Sequence, residues 1–175
     1  MKSPKIKDIK VIFTEPDNIR LIIVKILTDQ DGLYGVGCAT FTQRPNPVKY
    51  AIEDYLKPFL IGKEVNNIED IWQSSYVSSY WRNGPVLNNA LSGVDQALWD
   101  IKGKMADMPL YDLFGGKTRE AAAVYVHSSG DSNEEVGDKM QAFIEQGFHH
   151  IRVQVSTPGY STYGNKSAKA GDKTL

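Results

Sequence analysis

The chain has 175 residues, a hydrophobic content of 41% and a formal net charge of -1, which is typical of a globular protein with room for one good core or a small domain plus part of another. A net charge this close to zero gives no excess of positive charge to attract nucleic acid or an anionic membrane, so neither is expected as a partner. There is no apolar run of about 18 residues, no signal-peptide pattern and only one cysteine, Cys38, so we expect a cytoplasmic protein without disulfides.

The first part of the chain predicts a three-stranded antiparallel meander. Two segments rich in β-branched residues, Ile6–Glu15 and Ile19–Asp29, are separated by the short turn sequence PDN. The turn sequence DQDG then leads into a third strand, Leu33–Phe41. Gly35 and Gly37 lie inside this strand and indicate a close approach of another backbone, because glycine has no side chain to prevent it.

A helical block is predicted next. Its first helix opens with Pro47, which suits a first helical turn, and its second covers Asn66–Trp81, with Asn66 or Asn67 as the N-cap. The longest helix covers Val86–Asp107. Its apolar stripe consists of Leu87, Ala90, Leu91, Val94, Ala97, Leu98 and Ile101. A short helix then ends on a glycine pair, which is a common helix stop.

The last part of the chain changes to an α/β pattern. A strand over Ala121–Gly130, a helix over Ser132–Gly147 and a strand over His149–Val155 form a βαβ unit, whose crossover requires parallel strands. Ser132 lies three residues before Glu135, which is the spacing of a capping box. The pattern therefore predicts a β-meander, a helical block and the opening of an α/β domain.

Strand alternation predicts a polar face on this parallel pair. Arg152 and Gln154 share one face of their strand with His150, and His127 shares a face of its strand with Tyr125. A parallel barrel builds its active site from side chains at the carboxyl ends of its strands. His127 is equally consistent with a structural histidine that bonds to a loop. Arg152 is the stronger candidate, because a buried arginine is costly unless an acid or an anionic ligand pairs with it.

No metal ligand is predicted from these residues. Mg²⁺ prefers carboxylate oxygens at strand ends, and neither of the two strands ends in a carboxylate. Glu134 and Glu135 lie in the first turn of a helix, where they favour the helix dipole and the cap.

Four segments of the chain resemble the enolase superfamily, and within it the branch of the D-mannonate dehydratases and the related starvation-sensing proteins. These segments are GLYGVGCATF, IEDIWQSSYVSSYWRNGPV, ALSGVDQALWDIKGKMADMPLYDLFGGKTRE and HHIRVQVSTPGYSTYG. The resemblance implies an α+β capping domain (the three-stranded antiparallel meander plus helices) followed by the first βαβ of a TIM-type (β/α)₇β barrel. It places the capping domain at 1–118, the start of the barrel at 119–160 and a mobile active-site loop or tail at 161–175.

The same resemblance implies a Mg²⁺-dependent lyase that dehydrates a sugar acid of the D-mannonate or D-gluconate type, by removal of the α-proton through an enediolate. Tyr163, working with Arg152, matches the family's base, and a nearby cation lowers the pKa of a phenol toward a usable range. His127 matches a histidine that contacts the substrate. Relatives of this kind form homo-oligomers, so we expect one here.

The chain departs from the family pattern in two places. Where the dehydratases carry an asparagine in a TLNGR-like cap loop, this chain reads TFTQR, so that Thr42 occupies the aligned position and Gln43 lies beside it. The loop between Arg152 and Tyr163 is also one residue shorter than the corresponding loop of the family. Both residues of the cap loop remain candidate substrate contacts. An alternative is a family member with little or no dehydratase activity, which binds a sugar acid or has a regulatory role; a second is a cap domain used for assembly.

The length of the chain bears on all of these functions. A barrel of this type takes about 250 residues, whereas residues 119–175 supply two predicted strands. We therefore expect the chain to be the N-terminal part of a longer enzyme, with the Mg²⁺ ligands and the general acid beyond residue 175. On its own, the chain is expected to be inactive.

Overall fold

A computed structural model describes residues 3–155. The chain divides into two compact units, 1–117 and 118–175, and each is described by itself. The predicted base Tyr163 and the predicted loop at 161–175 lie outside the described residues.

The first unit opens with the predicted antiparallel meander. Its strands are β1 (Ile6–Thr14), β2 (Leu21–Thr28) and β3 (Tyr34–Cys38), in the order β1-β2-β3. β2 shows the period of two that makes it a half-buried strand, since every second residue from Ile22 to Thr28 is buried. The fold class predicted for this part of the chain is confirmed.

Five α-helices follow in this unit. They are α1 (Pro45–Tyr50), α2 (Lys57–Leu60), α3 (Ile68–Ser78), α4 (Pro85–Ala106) and α5 (Leu110–Leu113). A π-helical segment, Ala51–Leu56, joins α1 to α2, so the helix predicted from Pro47 begins two residues earlier. Asn67 is the N-cap residue of α3, but its side chain makes no capping hydrogen bond.

The core of the first unit lies between the sheet and the helices. Six residues of the predicted stripe on α4 are buried, and only Leu87, at 39% exposed, is not. The C-cap residue of α4 is Asp107, whose backbone is left-handed with a φ of 51°. After α5 the predicted glycine pair is also left-handed, with φ of 113° at Gly115 and 97° at Gly116, conformations that glycine adopts without a steric cost.

Helix α4 lies along β3, the edge strand of the sheet. A Cβ on Gly35 would collide with the carbonyl oxygen of Ala97, so the predicted close approach is confirmed and its partner is the backbone of α4. Because the helix is this near, Asp100 accepts a hydrogen bond from the N–H of Val36 at 2.8 Å, and Gln96 accepts one from the N–H of Cys38 at 3.1 Å. Side chains of α4 thus accept hydrogen bonds from backbone N–H groups on the free edge of β3.

The second unit contains the predicted βαβ arrangement. Strands β4 (Val126–Gly130) and β5 (Ile151–Val155) are parallel, and α6 (Asn133–Glu145) connects them. β4 is shorter than predicted, because β5 begins opposite Val126 and residues 121–125 have no strand partner among the described residues. Within residues 3–155, none of the helices is both long and apolar enough to cross a membrane.

Candidate active site

The parallel pair β4 and β5 brings two of the predicted site residues together. His127 of β4 lies directly opposite Arg152 of β5 in the strand register. Side chains of paired residues on neighbouring strands point to the same side of a sheet, so the imidazole and the guanidinium share one face. Both side chains are exposed, which means that the described residues leave this face open.

On the opposite face α6 packs against β4, and this fixes which residues of β4 face outward. Ser128, the neighbour of His127, is completely buried, and its hydroxyl donates to the carbonyl of Val136 on α6 at 2.6 Å. Val136 is itself buried. A slip of one residue in β4 would turn Ser128 outward and expose this contact, so burial on the α6 side holds His127 on the open side.

Three further side chains extend the polar face. The ring of Tyr125 stacks on the imidazole of His127, with centroids 5.2 Å apart and planes at 27°. Ser129 and Gln154 form the next outward-facing pair along the strands. The sequence predicted that Tyr125 and His127 share a face but not that their rings stack, and Tyr125 lies just before β4 rather than within it.

Hydrogen bonds connect the end of β4 to the first turns of α6. The hydroxyl of Ser132 accepts from the N–H of Glu135 at 3.1 Å, as the capping-box spacing predicts. The Glu135 carboxylate accepts from the N–H of Asp131 at 3.0 Å and from Lys139, whose ammonium also donates to the carbonyl of Ser129 at 2.8 Å. The hydrogen bond from Lys139 and that from Asp131 hold the pKa of Glu135 below its ordinary value of 4.5. This carboxylate is therefore engaged in the cap.

The two predicted cap-loop residues lie in the first unit, in a turn between β3 and α1. The carbonyl of Gln43 accepts a hydrogen bond from the Arg44 guanidinium at 2.7 Å. The side-chain nitrogen of Gln43 is buried and has no hydrogen-bond partner in the part of the chain that the structure describes. A buried amide donor without a partner is costly. Thr42 has no comparable buried group.

The described residues do not form a magnesium site. Between residues 3 and 155 there is no group of three or more histidine, cysteine, aspartate or glutamate residues that could hold a metal ion.

Comparison with known protein families shows to which family the chain belongs. Residues 2–115 match the family described as "Mandelate racemase / muconate lactonizing enzyme, N-terminal domain". The chain therefore belongs to this family of the enolase superfamily, and the predicted superfamily is confirmed.

Particular relatives cover nearly the whole chain. A "D-galactonate dehydratase family member" of Enterococcus gallinarum is 57% identical over 168 residues, which are 96% of this chain and 41% of the relative. The relative from Pantoea ananatis is 57% identical over 154 residues, which are 88% of this chain and 37% of the relative. The chain thus spans about two fifths of the length of these relatives.

Solved structures agree with this assignment. The crystal structure of an enolase from Pantoea ananatis, with bound D-gluconate and Mg, superimposes with a TM-score of 0.80 at 57% identity, over 87% of this chain and 37% of that one. A putative dehydratase from Zymomonas mobilis gives a TM-score of 0.77 at 30% identity, over 87% of this chain and 42% of that one.

Proposed function

We propose that this chain is the N-terminal part of a Mg²⁺-dependent dehydratase that acts on a sugar acid. The observation that carries the proposal is the register of His127 with Arg152 on the open face of a parallel strand pair. Membership of the family and the similarity to a structure that holds D-gluconate and Mg support it. The sugar acid is expected to be of the D-gluconate or D-mannonate type.

The proposed chemistry assigns a role to three of the predicted residues. Tyr163 takes the proton α to the carboxylate, and the electron pair of the broken C–H bond moves into the carboxylate to give an enediolate. The Arg152 guanidinium favours the phenolate form of Tyr163 by lowering the pKa of the phenol. His127 binds the substrate. The C3–O bond then breaks, and the hydroxyl leaves as water after it receives a proton from an acid elsewhere in the protein.

The proposed requirement for Mg²⁺ rests on the similarity to relatives alone. Its usual ligands are carboxylate oxygens, and residues 3–155 offer no suitable group. We therefore propose that the ligands belong to a longer protein, and that the 175-residue chain by itself has no dehydratase activity.

A chimera tests the proposal directly. Residues 1–175 of this chain would replace the matching part of the Pantoea ananatis relative, and formation of a 2-keto-3-deoxy acid from D-gluconate and D-mannonate would be measured with Mg²⁺. We expect turnover of at least one acid. Tyr163→Phe should lower kcat by about 10²-fold or more, since proton transfer contributes about 10²–10⁴-fold. Arg152→Met should shift the pH profile to higher pH, because the phenol loses its neighbouring cation.

His149→Ala is the control for both variants. His149 is exposed and lies two residues before β5, so this substitution should leave kcat unchanged. A folded chimera in which Tyr163→Phe retains full activity would contradict the role given to Tyr163. A folded chimera that turns over none of a panel of acid sugars would contradict the dehydratase assignment.

A second candidate function is binding of a sugar acid without turnover. It is favoured by Thr42, which stands where the dehydratases carry asparagine, and by the buried amide nitrogen of Gln43 beside it. If Gln43 supplies the missing amide, Gln43→Ala in the chimera should raise the Kd for D-gluconate about tenfold, in line with the loss of one hydrogen bond. If it does not, Thr42→Asn should restore activity to an inactive chimera.

A further inference from the structure

The first unit contains a cavity that the proposed chemistry does not use. Its volume is about 270 Å³, and it lies between the π-helical segment Ala51–Leu56, α3 and α4. The apolar residues of its inner wall are buried, namely Ala51, Ala90 and Leu91. The polar residues at its rim are exposed, namely Arg82, Asn83 and Asn88. The cavity is therefore apolar inside and polar at its mouth, and the exposed Leu87 of the α4 stripe is part of its wall.

One polar group on the inner wall has no partner. Ser75 of α3 is 6% exposed, and its hydroxyl oxygen is buried without a hydrogen-bond partner among residues 3–155. Ser78 and Ser79 of the same wall differ from it, because their hydroxyls donate to backbone carbonyls at 2.9 and 2.8 Å. Leaving a buried hydroxyl unpaired is unfavourable, so Ser75 offers one hydrogen bond to a molecule that enters the cavity.

The rim of the cavity carries a positive charge and further donors. The guanidinium of Arg82 lies 5.5 Å from the centroid of the Tyr76 ring. The hydroxyl of Tyr76 donates to the Oδ1 of Asn83 at 2.9 Å, which leaves the amide nitrogen of Asn83 to donate elsewhere. The described residues that line the cavity include no aspartate or glutamate. One cation and an amide donor without a neighbouring acid suit a carboxylate, because an arginine binds a carboxylate through two parallel hydrogen bonds.

The backbone around the cavity is irregular on two sides. In the π-helical segment, the N–H of Lys57 donates to the carbonyl of Ile52, five residues earlier, and such segments frequently occur at functional sites. In the loop at the rim, Tyr80 has a φ of 57° and Asn83 has a φ of 75°. A left-handed conformation is costly for an aromatic residue, and such residues cluster at ligand-binding sites. Both features favour a ligand site over an accidental gap in the packing.

We propose that this cavity binds a small carboxylic acid whose apolar body carries a hydrogen-bonding atom at the end remote from the carboxylate. Arg82 and Asn83 bind the carboxylate at the rim, the apolar walls enclose the body, and the Ser75 hydroxyl pairs with the remote atom. The size is suitable for one six-membered ring with two substituents, since a cavity of about 150 Å³ holds a benzene molecule. Larger ligands occupy sites of about 300–1,000 Å³.

This ligand differs from the sugar acid of the proposed function. A sugar acid carries hydroxyl groups along its whole carbon chain, whereas Ser75 is the polar residue that the buried part of the wall provides. Burial of hydroxyls without partners is costly, so the cavity disfavours a sugar acid. Neither His127 nor Arg152 lines the cavity. The inference therefore goes beyond the dehydratase proposal and does not depend on it.

A ligand-observed NMR titration of the full 175-residue chain tests the proposal, with 4-hydroxyphenylacetate as the probe. We expect saturable binding with a Kd below about 1 mM. Phenylacetate lacks the remote hydroxyl and should bind about fivefold more weakly, as expected for the loss of one hydrogen bond. Tyrosol carries a neutral hydroxymethyl group in place of the carboxylate and should bind at least about tenfold more weakly. D-gluconate should not displace the probe.

Two variants assign the two ends of the probe. Arg82→Met should weaken binding of 4-hydroxyphenylacetate by at least about tenfold and should leave the weaker binding of tyrosol unchanged. Ser75→Ala should weaken binding of 4-hydroxyphenylacetate about fivefold and should leave phenylacetate unchanged. Arg20→Met is the control for the loss of one positive charge, since Arg20 is exposed and does not line the cavity. It should leave every Kd unchanged.

Thermal unfolding followed by circular dichroism shows whether the variants fold. Ser75→Ala should not lower the midpoint, because it removes a buried hydroxyl that has no partner in the described part of the chain. Absence of saturable binding up to about 5 mM probe, five times the expected upper limit of Kd, overturns the proposal. Equal affinity for tyrosol and 4-hydroxyphenylacetate, or a folded Arg82→Met variant that binds the probe like wild type, overturns it as well.

Discussion

The α-carbon of Gly37 lies so close to the carbonyl oxygen of Gly93 that a methyl group on Gly37 would collide with it. Gly35 stands in the same relation to Ala97, one helical turn further along α4. The two contacts bring the helix against the edge strand β3 and allow side chains of α4 to reach the strand's backbone. The packing of the first unit therefore depends on two positions that carry no side chain.

Gly37→Ala should destabilise the chain by about 3 kcal/mol, the upper part of the usual range for overpacking. The neighbours that would have to move are backbone atoms of α4, which cannot rotate away. The midpoint of thermal unfolding should fall by about 10 °C. Gly137→Ala is the matched control: it lies in α6 with open space around it, and it should stabilise by up to about 1 kcal/mol. Equal effects at the two positions would contradict this account of Gly37.

Asp100 should be more important than a surface carboxylate, because it satisfies the backbone of the edge strand. Its Oδ2 accepts from the N–H of Val36 and from the ammonium of Lys104, each at 2.8 Å. Asp100→Ala should cost about 1–3 kcal/mol, since it leaves a strand N–H unpaired. Asp100→Asn keeps an oxygen acceptor and should cost less. Chemical denaturation measures both, and an equal loss in the two variants would show that the ion pair with Lys104 dominates.

Asp95 should be destabilising at neutral pH. Partial burial raises the pKa of its carboxyl above the ordinary value of 3.8, and the negative charge of Glu69 raises it further. The folded chain thus binds a proton more tightly than the unfolded chain, and stability is lost as the pH rises from 3.8 through the folded pKa. Asp95→Asn should increase the free energy of unfolding at pH 7 by less than about 1 kcal/mol, because the group remains partly solvated.

The gain from Asp95→Asn should shrink as the pH falls toward 3.8, where the wild-type carboxyl is already protonated in the folded state. Asp31→Asn, in an exposed turn, controls for the loss of one negative charge. A gain that is the same at every pH would show that the substitution acts through packing.

The ion pair between Asp8 of β1 and Lys57 of α2 should have the opposite pH dependence. The Nζ of Lys57 and the Oδ1 of Asp8 are 2.6 Å apart. The hydrogen bond from Lys57 lowers the pKa of Asp8 below 3.8, although partial burial opposes this shift. The pair therefore stabilises the fold above pH 3.8, and this contribution is lost as the pH falls through the folded pKa. Asp8→Asn should cost less than about 1 kcal/mol at pH 7, since both side chains are partly exposed.

A double-mutant cycle with Lys57→Met isolates the pair of Asp8 and Lys57. The coupling energy measured at pH 7 should diminish in 1 M salt, where charges are screened within about 3 Å. A coupling that is unchanged by salt would mean that the contact acts through packing rather than charge.

Ser132 should be needed for α6 to begin where it does. Its hydroxyl accepts from the N–H of Glu135, and loss of such an N-cap costs about 1 kcal/mol. Hydrogen exchange of the first turn of α6 in Ser132→Ala should be faster, while Ser132→Asn should restore protection. If the alanine variant leaves exchange unchanged, the cap is provided by the Glu135 carboxylate instead.

The sequence predicted the fold of this chain well because most elements carry a strong local pattern. The meander, the long helix and the βαβ unit follow from β-branched alternation, from the apolar stripe of α4 and from turn residues. The strand predicted over residues 121–125 is absent for a non-local reason. A segment with a strand-like sequence still needs a neighbouring strand to pair with, and β5 begins only at Ile151. The exposure of Leu87 is likewise non-local, since it depends on a cavity formed by three helical segments.

The candidate site was predictable only in part. Alternation was sufficient to place His127 and Arg152 on one face, because their parity is a local property. The stacking of Tyr125 on His127 depends on the conformations of the two side chains, and the unpaired amide nitrogen of Gln43 depends on its tertiary surroundings. Composition and spacing specify neither of them. The roles of Thr42, Gln43, His127, Arg152 and Tyr163 stay predictions.

The pairing of Val126 with Ile151 has a consequence for how this part of the chain tolerates change. Insertions or deletions in the connection 131–150 alter its length, but they leave His127 and Arg152 side by side as long as the two strands keep their alignment. A slide by a single residue within either strand would instead send one of the two side chains to the opposite face. Length polymorphism between the strands should therefore be compatible with function, whereas an odd-numbered shift inside a strand should not.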